Sequence, residues 1–134
     1  MIKIETGALA GPALRWVLAQ IDGVVVGLAP PHYGTGWRVY RLSDGAAYRP
    51  DVDWSQGGPL MDKYSKGFGI VESSEPPRFR SFARNNGPEG FCRLSGGPTI
   101  LIAACRAIVA VHMGDVVQVP EVLAPVGEGD HAAA

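Results

Sequence analysis

Apolar positions along the chain follow two periods. Leu14, Val17, Leu18 and Ile21 recur at i, i+3, i+4 and i+7, the spacing of one helix face, between Gly11-Pro12 and Gly23. The stripe predicts a surface helix over residues 13–22, with Arg15 and Gln20 turned to water. The same punctuation frames residues 99–113, where Gly97-Pro98 precedes and Gly114 follows. Proline at a helix start and glycine just past its end suit the backbone that each position needs. Here Ile100, Leu101, Ile102, Ala103, Ala104, Ile108, Val109 and Val111 spread around nearly the whole circumference, so this helix is expected at the buried centre.

Shorter β-rich runs predict strands at residues 1–5, 24–28, 37–42, 68–72, 91–94 and 116–119. Residues 23–40 read as a hairpin whose Pro30-Pro31-His32-Tyr33-Gly34-Thr35-Gly36 loop is exposed. Residues 43–59 and 73–90 are rich in Ser, Asp, Asn, Pro and Gly and read as loops, the places where small domains often bind. These elements predict one α+β domain over residues 1–126: a small, mainly antiparallel sheet packed on a central buried C-terminal helix, with an N-terminal helix on its flank. Residues 127–134 are expected to form a flexible tail.

Composition narrows the partners. With 12 Lys+Arg against 13 Asp+Glu, the formal net charge is -1, so no bulk field draws the chain to duplex nucleic acid or to an anionic membrane. The apolar run over residues 100–113 contains Arg106 and His112 and falls short of the roughly 20 residues that a bilayer crossing requires. Residues 1–5 lack the pattern of a secretory signal, and two cysteines, Cys92 and Cys105, are too few for a disulfide scaffold, so a cytoplasmic protein with reduced thiols is expected.

Three stretches carry candidate chemistry. Ser95-Gly96-Gly97-Pro98-Thr99 is expected to deliver a glycine-rich turn into the start of the central helix, where unpaired N–H groups favour an anion and Thr99 adds a hydroxyl. The plainer alternative is ordinary helix capping. In the stretch from Tyr48 to Pro59, which ends in Gly57-Gly58-Pro59, the Trp54 ring, Arg49, the carboxylates of Asp51 and Asp53 and the Gln56 amide crowd one loop, the groups that stack a base and bond its edges. Equally, Trp54 could plug the core and Gln56 close a turn. Arg78, Arg80, Arg84 and Arg93 interleave with Phe79, Phe82 and Phe91; Arg78 and Arg80 on one strand face could grip phosphate, or could mark a charged edge strand that resists aggregation. The expected ligand wall is therefore Trp54, Gln56, Gly57, Gly58, Gly97, Thr99, Arg49, Arg78 and Arg80, for a small anionic or nucleotide-like molecule.

Catalysis finds weaker footing. His32, His112 and His131 have no nucleophile placed beside them by spacing, and no paired-cysteine zinc pattern occurs, so no catalytic residue, metal or cofactor is assigned. A small hydrolase would have to use Asp51, Asp53 or His32. An adaptor for a host or phage protein would use exposed aromatics such as Tyr33 and Trp37. In a symmetric homo-oligomer, loops of neighbouring copies could complete a pocket.

Gly11-Pro12-Ala13-Leu14-Arg15-Trp16, Trp54-Ser55-Gln56-Gly57-Gly58-Pro59-Leu60, the run from Gly97 to Arg106 and the run from Gly114 to Pro120 together resemble the NinX-like family of bacteriophage and prophage proteins. The resemblance implies a small accessory protein of a tailed phage, working in the bacterial host cytosol, and names no reaction. Accessory proteins of this kind commonly bind a host protein, a nucleic acid or a small signal nucleotide used in host defence.

Overall fold

Helix α1 spans Gly11–Asp22 and ends where Gly23 turns left-handed at φ 72°, its N–H bonded to Ala19 O. Glycine there avoids the steric cost that a side chain would bring. The helix buries Leu14, Val17 and Leu18, as its apolar stripe predicts. Arg15 departs from expectation: it turns inward, 19% exposed, and pairs with Asp51. Helix α3, Ile100–Met113, is the centre of the fold, with residues Ala103 to Val111 all buried and Thr99 as its N-cap. The computed structural model describes residues 1–71, 78–84 and 92–124, so the expected tail and most of the 73–90 stretch lie outside the described residues.

Among the described residues the strands form three small antiparallel sheets. Strand β1 (Ile2–Glu5) pairs with β7 (Val116–Val119), Ile2 opposite Val119. Strands β2 (Val26–Ala29) and β3 (Arg38–Arg41) form the expected hairpin. Strands β4 (Ser65–Val71), β5 (Arg78–Arg84) and β6 (Cys92–Gly97) form a third sheet with β5 in the middle. This is the α+β arrangement that the pattern predicts, with the sheet divided into three parts. The core joins Leu14, Val17 and Leu18 of α1, Val39 of β3, Leu60 and Ile108, Val109 and Val111 of α3.

Two corrections matter for function. Residues 43–59, expected as a loop, contain the start of helix α2, Trp54–Tyr64. Asp53 caps it: the carboxylate accepts from Ser55 N at 2.9 Å, while its carbonyl accepts from the amides of Gln56 and Gly57. The second correction falls in residues 73–90, where Arg78–Arg84 is not loop but the middle strand of the third sheet. Ser95, Gly96 and Gly97 likewise continue β6, so only Pro98 and Thr99 turn into α3.

Candidate functional site

Strand β5 reads Arg-Phe-Arg-Ser-Phe-Ala-Arg, and its pleat sends alternate residues to opposite faces. Ser81 and Ala83 are buried on the face that α3 covers. Arg78, Arg80, Phe82 and Arg84 occupy the other face and are exposed. Beside them across the register lie Gly67 and Gly69 on β4 and Gly96 on β6. Bare backbone on both flanks lets the β5 side chains lie sideways. The Phe82 ring takes the space over Gly67, its Cε1 2.7 Å from where a Cβ would stand, and the Arg80 stem leans over Gly96 with Cγ at 3.9 Å. Leu94, 57% exposed, faces Phe82 from β6.

Among the described residues no carboxylate compensates the charge on this face. Neither β4, β5 nor β6 contains an Asp or Glu. Arg15, Arg41, Lys63 and Arg93 each have a carboxylate partner elsewhere, whereas among the described residues Arg78, Arg80 and Arg84 have none. Behind the sheet, Arg106 of α3 is only 8% exposed and donates from Nε to Leu9 O at 2.8 Å and from Nη1 to Gly96 O at 3.1 Å. Burial, and then the positive charge of Arg78, pull its guanidinium below the usual arginine range. A chain that is nearly neutral as a whole thus gathers cationic groups around one strand.

The structure divides the nine expected ligand residues among three places. Arg78 and Arg80 lie on the sheet face just described. Gly97 is buried at the end of β6, where a Cβ would come within 2.9 Å of Ala103 N, and Thr99 Oγ1 accepts from Ile102 N at 3.1 Å. The remaining five sit at the start of α2. Gln56 Oε1 accepts from Arg49 N at 2.6 Å and its Nε2 donates to Ala47 O at 2.7 Å, so both ends of its amide close the turn. Gly57 is wedged against Pro50 O and Leu101, while Gly58 faces open space. Trp54 is 56% exposed, and Arg49 is exposed.

Other polar groups are committed to the fold. Asp51, 3% exposed, accepts from Arg15 Nε at 2.7 Å and Nη2 at 3.2 Å. Hydrogen bonds from Ser55 hold the Asp53 carboxyl below its usual range. Cys105 is buried, and burial pushes its thiol up and away from the reactive thiolate. His112 Nδ1 lies 2.9 Å from Ile108 O, and His32 sits at the β2–β3 hairpin tip. Among the described residues no group of His, Cys, Asp and Glu could hold a metal ion, and no helix is long and apolar enough to cross a membrane. A cavity of about 320 Å³ opens toward the far end of α3, lined by Thr6, Arg93, Ser95 and Asp115 among others, and none of the nine expected residues touches it.

Fold and face together define a small α+β domain built on one central helix, with a cationic, aromatic strip exposed on its three-stranded sheet. The chain matches the family model described as Bacteriophage P22, NinX over residues 5–112, and it belongs to that family. The match runs from the last residue of β1 to the last turn of α3 and includes the strip; β7 lies beyond it. No curated protein matches the chain.

Two site features could have been found from sequence. Asp53 and Gln56 stand three apart, the spacing of a helix capping box, which marks the start of α2. Arginines at 78, 80 and 84 with Phe82 between them keep strict period-two alternation. Arg106 carried no such signal, because an arginine inside an apolar helix does not reveal which carbonyls it reaches.

Proposed function

We propose that this phage accessory protein is a non-catalytic binder of a phosphate-bearing, nucleotide-like ligand, held on the outer face of the β4–β5–β6 sheet by Arg78 and Arg80. One observation carries the reading. Arginines on an edge strand are explained by protection against edge-to-edge pairing, but β5 is the middle strand, paired on both sides. Its three guanidiniums, which have no carboxylate partner among the described residues, need another reason, and phosphate oxygens match their planar fork of donors. Flanking glycines leave the approach open, and Phe82 offers a surface for a base.

Thermal unfolding with pyrophosphate and a panel of mono-, di- and cyclic nucleotides tests this. A ligand present at 100 times its Kd stabilises the folded chain by about 2.7 kcal/mol, and Arg78→Ser/Arg80→Ser should abolish the shift. An unchanged melting temperature across the panel overturns the proposal.

A second reading, an adaptor for a host or phage protein, has its own observation. Tyr33 sits at the hairpin tip with φ 45° and is 95% exposed. Left-handed backbone suits Gly or Asn, so a tyrosine here gives up local stability to present its ring. Trp37 is half-buried against the core and offers less. Specific capture of one partner that is lost in Tyr33→Asn would favour this reading.

A further inference from the structure

The sheet face has a length as well as a charge. Arg78, Arg80, Phe82 and Arg84 follow one another on the same side of β5, about 7 Å apart at each step and spread over roughly 20 Å. Arg78 and Arg80 can share one phosphate. Arg84 lies too far along the strand to join them, so a single nucleotide leaves part of the strip unused. The aromatic ring falls between the second and third guanidiniums, in the order backbone charge, backbone charge, base, backbone charge. We infer that the ligand is an extended single-stranded nucleic acid, lying along β5 with its phosphates on Arg78, Arg80 and Arg84 and a base stacked on Phe82. This rests on the proposed function above and names its ligand class.

Several observations favour this polyanion. Phe82 lies across Gly67, and Leu94 stands beside it, so an unpaired base meets a low apolar surface. Glycines at 67, 69 and 96 keep the flanks low enough for a chain to pass. A duplex hides its base faces and would gain nothing from Phe82. An acidic peptide would satisfy the arginines without drawing on the exposed part of Phe82.

Fluorescence anisotropy of the full chain with labelled oligothymidylates of one to twelve nucleotides, and with oligouridylates of the same lengths, tests the inference. Affinity should rise with length until about four nucleotides, at the small end of single-strand site sizes. The logarithm of affinity should fall against the logarithm of salt concentration with a slope of about -2 for three phosphates, and Arg84→Ser should bring the slope nearer to zero by about 0.7. Phe82→Leu should weaken binding roughly tenfold while Phe82→Trp preserves it, with thermal unfolding confirming that each variant folds. If mononucleotides bind as tightly as oligomers, or if duplex or polyglutamate competes equally and Phe82→Leu changes nothing, the inference fails and anion binding at the face stands. Failure of nucleotides, pyrophosphate and oligomers alike overturns both.

Discussion

Replacing Gly57 with alanine asks whether α2 is seated where the structure has it. In a helix interior alanine is favoured over glycine by about 1 kcal/mol, so propensity alone predicts stabilisation. Packing opposes it. A Cβ on Gly57 would stand 2.2 Å from the Pro50 carbonyl oxygen and 2.7 Å from Leu101 Cδ2, well inside the roughly 3.5 Å at which non-bonded atoms attract. Leu101 can swing aside, but Pro50 O is backbone in a buried residue, so relief requires α2 to lift from α3. Overpacking of this kind costs about 1–3 kcal/mol, more when backbone must move. The expected net loss is about 2 kcal/mol, which lowers the melting temperature by about 7 °C for a domain of this size. Calorimetry and urea titration should agree on it. Gly58→Ala is the control: its Cβ meets open space, and its helical gain is offset by the restriction on a residue preceding Pro59, so it should stay within about 1 kcal/mol of the parent. A Gly57→Ala protein as stable as the parent would show that α2 does not rest on Pro50 and Leu101.

Other substitutions probe separate features. Asp51→Ala leaves Arg15 mostly buried without its carboxylate and should cost about 3 kcal/mol in urea unfolding; a loss below about 1 kcal/mol would mean that the pair is not formed. Tyr48 Oη is buried with no hydrogen-bond partner among the described residues, so Tyr48→Phe should gain about 1 kcal/mol, and a loss would reveal a partner. Burial raises the Cys105 thiol, so the folded chain keeps a proton that the unfolded chain releases above about pH 8.5. Stability from this source is complete below that pH and falls as pH rises, by up to about 1.4 kcal/mol per pH unit, and Cys105→Ala should flatten the decline between pH 8.5 and 10. Tyr33→Asn relieves the left-handed backbone and should raise the melting temperature by the equivalent of about 1 kcal/mol; no gain would mean that the hairpin tip is unstrained.

Much of the scaffold was legible because local signals agreed. In α1 and α3 the proline, the closing glycine and the apolar spacing point to the same boundaries, and Thr99 has the side chain that an N-cap needs. In α2 they conflict. Gly57, Gly58 and Pro59 argue for a turn, and only the burial of Gly57 and Leu60 together with the Asp53 cap shows why a helix forms there. Strand β5 was obscured differently. Its covered face carries Ser81 and Ala83, small enough to let α3 approach but too weakly apolar to announce a buried strand. Arginine partners were the least legible part. Arg15 reaches Asp51 across 36 positions and Arg106 reaches Leu9 across 97, and nothing in composition or period encodes such distances. Of the candidate site, Arg78 and Arg80 could be named from the sequence, but the bare flanks that make their face approachable depend on strand register.

The pairing of β1 with β7 sets an order on synthesis. Thr6 Oγ1 donates to Gly114 O across 108 positions, and Ile2 finds Val119 only after the intervening chain exists. On the ribosome the first strand must wait, its backbone unpaired, until almost every other element has emerged. Closing so long a loop is entropically costly, and a topology dominated by such distant contacts folds slowly. A permuted gene that joins these neighbouring strands through a short turn and opens the chain elsewhere should therefore reach its folded state sooner.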